Sequence, residues 1–169
     1  LVTATLHLSY TMECSTAARA LLQTARTHSQ RGSRFLHMYT EATEGLLDLQ
    51  AGRLRQAAAR FRLAVDASHA GHSNQLQGNA WAGVFYAYTV YESQQWQRAE
   101  QLLGVYLPLA REVGLPAHMA LSYTMRARMA FAHGDVDLAP AVLIHLEYLG
   151  HPPNIPRVSA PSHPERARI

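Results

Sequence analysis

Helical stretches broken at near-regular intervals by glycine constrain this chain more than any other feature. Glycines close apolar helical stretches at Gly32, Gly71, Gly114 and Gly150, in steps of 39, 43 and 36 residues. A glycine just past a helix takes up the left-handed cap conformation freely, having no Cβ to clash. Leu115-Pro116 and Pro152-Pro153 follow two of these stops, where proline cannot continue a helix. Short polar turns lie between the stops, at Gln50–Leu54, Ser93–Trp96 and Ala132–Val136. The same spacing recurs after each turn: Ala57, Phe61 and Ala64, then Ala99, Leu103 and Tyr106, then Ala139, Leu143 and Leu146. Ala18, Leu22 and Ala25 form an earlier copy, and the leading alanines step by 39, 42 and 40 residues. Spacings of i, i+4 and i+7 put each set on one helical face, and small residues there let two helices approach closely.

Each unit therefore reads as helix A, tight turn, helix B, glycine stop. The expected helices are roughly 1–11, 15–30, 34–50, 54–70, 75–93, 96–113, 116–132 and 137–149. Strand signals are nearly absent, and no Asn-Gly or Asp-Gly hairpin turn occurs. Helix pairs of this size bury their apolar faces only by stacking on neighbours. The expected fold is all-α, a right-handed solenoid of about four antiparallel helix pairs over residues 1–149. Residues 150–169 hold five of the eight prolines and no helical period, and are expected to form an extended or disordered tail. Pro140 fits the fourth helix B only if that helix starts near Asp137.

Composition excludes several chemistries. The fifteen basic residues are all arginine, so no P-loop lysine, Schiff-base lysine or Ser-Lys dyad exists here. Cys14 is the single cysteine, which rules out an internal disulfide and a cysteine zinc cluster. It precedes Ser15-Thr16, which read as a helix cap. No G-x-S-x-G elbow and no glycine-rich phosphate loop is present. His69 and His72 stand i, i+3 without a third ligand, while His118, His133 and His145 have no ligand spacing. Asp135 and Asp137 fall where negative charge favours a helix start. Arg53, Arg55, Arg60 and Arg62 point to two sides of one helix and read as a solvated face rather than a nucleic-acid stripe. No apolar run approaches the ~18 residues of a membrane span, and no signal peptide is visible. The expectation is a cytoplasmic binding protein, not an enzyme, with neither cofactor nor metal.

The frame Gly45…Gly52-Arg53-Leu54-Arg55-Gln56-Ala57…Phe61…Ala64 resembles a tetratricopeptide repeat, as does Ala127…Gly134-Asp135…Ala139. Several segments are similar to the helical-repeat region of the large LuxR-type, ATP-dependent transcriptional regulators related to the maltose regulator. They are Ala80-Trp81-Ala82-Gly83, Val90-Tyr91-Glu92, Ala99-Glu100-Gln101-Leu102-Leu103, Gly134-Asp135-Val136-Asp137, Leu146-Glu147-Tyr148-Leu149-Gly150 and Glu165-Arg166-Ala167-Arg168. The resemblance implies a bacterial regulator whose repeat region senses an inducer and governs self-association. Its nucleotide-binding module precedes the repeats and its DNA-binding domain follows them. The present chain then reads as a piece of a longer polypeptide, with no direct nucleic-acid contact and no membrane contact of its own.

In a tetratricopeptide-like stack the A helices line the concave surface. The register of the turns places Tyr39, Leu46, Gln50, Trp81, Val84, Tyr88, Tyr91, Glu92 and Arg128 there as candidate ligand or partner contacts. Trp81, Phe85, Tyr88, Tyr91 and Glu92 share one broad face of the third helix A. Such aromatics serve either as core or as a ligand groove, where they supply apolar area and a hydrogen bond together. Two functions follow: an effector-sensing segment of a transcriptional regulator, or a scaffold for protein contact or self-association.

Overall fold

A computed structural model describes residues 20, 22–27, 34–69 and 76–135. The first and last expected helices, the tail, Cys14, His72, Pro140 and His145 lie outside the described residues, as do Gly32, Gly71 and Gly150. The described part is all-helical and contains no strand. Residues 22–27 form a leading helical segment. Five helices follow: α1 (Arg34–Gln50), α2 (Leu54–His69), α3 (Leu76–Glu92), α4 (Trp96–Glu112) and α5 (Pro116–Ala132).

One backbone device ends α1, α3, α4 and α5. In each turn a residue with positive φ follows the cap: Gly52 at 73°, Gln94 at 62°, Gly114 at 66° and Gly134 at 81°. The next amide reaches five residues back into the helix. Arg53 N–H donates to the Asp48 carbonyl at 2.8 Å, Gln95 to Val90 at 3.2 Å, Leu115 to Ala110 and Asp135 to Ala130 both at 2.9 Å. This is the Schellman arrangement, which satisfies carbonyls that a helix end otherwise leaves bare. With only three residues between helices, each following helix folds back beside the one before it.

Packing sorts the helices into two kinds. α1 touches α3, and α3 touches α5, while α2 and α4 come within 8 Å at no pair of Cα atoms. The odd-numbered helices thus form a continuous layer, and the even-numbered ones lie against it. α3 sits at the centre, against α1, α2, α4 and α5. Every residue from Gly78 to Ala87 is buried, all the way round the helix, as an apolar sequence without a polar face requires.

The small-residue spacing places the even-numbered helices. Ala57, Phe61 and Ala64 of α2 and Ala99, Leu103 and Tyr106 of α4 are all buried in one core. Two glycines make room for the aromatics among them. A Cβ on Gly45 would stand 3.0 Å from the Phe61 ring, and one on Gly83 only 2.2 Å from Tyr106. Phe61 stacks on Phe85 with ring centres 5.8 Å apart, tying α2 to α3.

Buried hydroxyls in the odd-numbered helices bond within their own helix. Thr40 donates to the Leu36 carbonyl and Thr43 to that of Tyr39, both at 2.7 Å. Thr89 bonds Phe85 and Ser122 bonds His118, each at 2.8 Å. The polar groups are thereby satisfied without a partner on the neighbouring helix.

Candidate functional site

Among the described residues, two places gather the candidate residues and the charged side chains most closely. The first is a groove of about 560 Å³ on the layer of odd-numbered helices. Its wall is Leu46, Leu49 and Gln50 of α1, Gly52 of the turn and Leu54 of α2 on one side. Phe85, Tyr88 and Glu92 of α3, with Leu121 of α5, complete it. Four residues expected on the concave face line it: Leu46, Gln50, Tyr88 and Glu92.

The Tyr88 and Tyr91 rings lie nearly parallel, 22° apart in plane with centres 6.4 Å apart. Both are half-buried. Burial pushes the Tyr88 hydroxyl up to about 12, reinforced by its hydrogen bond to Glu92 and the charge of that carboxylate. The phenol therefore stays protonated as a donor to Glu92. Arg128, half-buried on α5, acts on the same hydroxyl in the opposite direction. Tyr39 is half-buried beside Trp81, ring centres 6.1 Å apart, and burial raises its hydroxyl above the ordinary tyrosine value.

Trp81 and Val84 are placed differently from the rest of the expected set. They are 6% and 0% exposed and belong to the core. Trp81 meets Phe85 edge to face at 5.4 Å. His118 of α5 closes this aromatic cluster, its ring edge-on to Phe85 at 5.1 Å and 6.2 Å from Trp81. Burial lowers His118 to about 4, so the ring is neutral at physiological pH. Its position directly behind the groove-lining Phe85 was not evident in the sequence.

The second place is an ion-pair network. Glu41, Glu44 and Asp48 stand i, i+3 and i+7 on α1, with side chains 7%, 16% and 10% exposed. Arg60 of α2 contacts all three: Glu41 at 3.0 Å, Asp48 at 2.9 Å, and Glu44. Arg53 makes a 2.6 Å bond to Asp48. Arg26 of the leading segment reaches Glu41 at 3.2 Å and Glu44 at 2.9 Å. Burial raises the Glu44 carboxyl despite Arg60 and Arg26 beside it, which lower it. Burial also works against the Arg60 charge, but Glu44, Asp48 and Glu41 together outweigh it.

This corrects the expectation that Arg53 and Arg60 belong to a solvated face. Arg62 does lie in solvent, 70% exposed and 3.8 Å from Asp66. The signal for the network was in the sequence, because 41, 44 and 48 have the spacing of a core-facing stripe. An apolar cluster of Leu22 and Leu47, separate from the main core, accompanies it.

Among the described residues no group of three or more His, Cys, Asp or Glu is arranged to hold a metal ion. No helix among them is long and apolar enough to cross a membrane. No protein-family model matches this chain, and no curated protein or solved structure does either.

Proposed function

We propose that this chain is the effector-sensing segment of a bacterial LuxR-type transcriptional regulator. On this reading it is a right-handed helical-repeat solenoid in the cytoplasm that binds by its groove and performs no catalysis. The observation that carries the proposal is the groove on the odd-numbered helices, which gathers Leu46, Gln50, Tyr88 and Glu92 from two helices over an apolar floor. An apolar cleft with a few convergent polar groups is the usual form of a small-molecule site. The regulatory role rests on the resemblance of the repeat segments and is the part an experiment must reach.

The groove is lined by α1, α3 and α5 of one layer together with the start of α2, so a ligand seated there changes how α1, α3 and α5 lie against one another. That change is the signal passed to the rest of a longer regulator. A reporter assay with the parent protein tests this: Tyr88→Ala and Leu121→Trp should each blunt the inducer response while the protein level holds. An unchanged response in both variants would sink the sensor reading.

A second reading, protein contact or self-association, has one observation in its favour. Leu63 of α2 and Val105 of α4 are 51% and 55% exposed and occupy equivalent positions, each eleven residues after the positive-φ residue of its turn. They place an apolar residue at the same point of successive helix pairs. Two single residues do not make a contiguous apolar patch, so this reading ranks second. Light scattering of Leu63→Glu and Val105→Glu variants separates the two readings, since only self-association through this face is lost in them.

A further inference from the structure

The charge at the groove narrows what it can take, an inference that rests on the groove being a ligand site. Among the described residues that line it, Glu92 is the only charged one. It is exposed, so its carboxylate is available at the mouth as well as to Tyr88. α1 ends on Gln50 and α2 begins on Leu54, both in the lining, so the opposite ends of these two helix dipoles offset each other. α3 ends on Glu92 itself, and the negative end of its dipole adds to the field of the carboxylate. The half-buried Tyr88 and Tyr91 rings stand beside it nearly parallel, and the face of an aromatic ring attracts cations. Arg128 opposes this field, but at the Tyr88 hydroxyl its influence is smaller than that of Glu92. Away from this end the lining is apolar, with Leu46, Leu49, Leu54, Phe85 and Leu121.

We infer that the groove takes an amine with a flat apolar body, the body over Phe85 and Leu121 and the ammonium group between Glu92 and the Tyr88 ring. The body displaces water from the leucine floor, and the head meets a carboxylate, a ring face and the C-terminal end of α3, all of matching sign. A carboxylate or phosphate ligand would face all of these with the wrong charge.

Two probes of the same shape test this on the full chain by calorimetry: naphthylmethylammonium and the neutral naphthylmethanol. The ammonium ion should bind about three- to tenfold more tightly, the range that one partly exposed ion pair and one ring contact supply. Glu92→Gln should erase that preference, so that the two probes bind the variant with equal affinity. Gln50→Arg, which brings a positive charge to the same end, should narrow the preference for the ammonium probe over the alcohol. Equal affinities in the unaltered chain, or a preference that survives Glu92→Gln, would overturn the amine assignment. The groove reading itself would still stand, provided Leu121→Trp abolishes binding of both probes. If neither probe binds, or both bind the Leu121→Trp variant as well as the unaltered chain, the amine assignment and the groove reading fall together.

Discussion

Gln94 holds the place that glycine fills in three otherwise equivalent turns. With φ at 62°, it pays the steric cost of a Cβ against the following carbonyl, which glycine avoids. Gln94→Gly should therefore stabilise the fold by about 0.5–1 kcal/mol, seen as a higher urea midpoint at unchanged slope. His118 makes a sharper prediction. Its folded value of about 4 lies below the ordinary 6.5, so the unfolded chain binds more protons between those limits. The contribution is fully present above pH 6.5 and is lost as the pH falls towards 4. The loss is on the order of 3 kcal/mol, from the shift at about 1.4 kcal/mol per pH unit. Urea unfolding from pH 7.5 to 4 should show that slope, and His118→Phe should flatten it. An equal slope in the variant would mean that other groups set the acid sensitivity.

Among the helices, the joint between the leading segment, α1 and α2 is of a different kind from the rest. Elsewhere neighbours meet chiefly through apolar side chains, with Arg98 and Arg111 of α4 each donating to a tyrosine hydroxyl of a neighbouring helix, whereas here three arginines meet three carboxylates. Paired in this way the charges are tolerated, but removing one partner leaves the others poorly compensated. Arg60 contacts all three carboxylates, so Arg60→Met should cost about 1–3 kcal/mol at pH 7, the lower half allowing for its partial exposure. The deficit relative to the unaltered chain should shrink as the pH falls and the carboxylates protonate. Taking the difference at each pH cancels the His118 effect. A deficit that does not change with pH would show that Arg60 acts by packing its stem and not by its charge.

Most of the helical architecture was legible in the sequence, because glycine and proline punctuation acts locally. The turns at Gly52, Gly114 and Gly134 and the five described helices lie within a residue or two of where the spacing puts them. The groove was legible in part. Leu46, Gln50, Tyr88 and Glu92 were found by counting from the turns, since position along a helix fixes direction. Trp81 and Val84 were not placed by the same count, because α3 is apolar on every side. Which of its faces stays open depends on where α1 and α5 pack, a tertiary fact. His118 behind Phe85 is likewise a contact between helices that are not consecutive, and spacing within one helix carries no trace of it. The acidic stripe on α1 was visible in its own spacing, but that Arg60 of α2 reaches all three carboxylates depends on how the two helices pack.

The most direct measurement is thermal unfolding of the chain against a library of small metabolites and aromatic amines, run alongside Leu121→Trp. A ligand at about 100 times its dissociation constant adds about 2.7 kcal/mol to the folded state, a shift of several degrees in Tm. The predicted result is a compound that raises the Tm of the unaltered chain and leaves the variant where it was. A library that moves neither protein, or that moves both equally, would contradict a ligand groove on α1, α3 and α5.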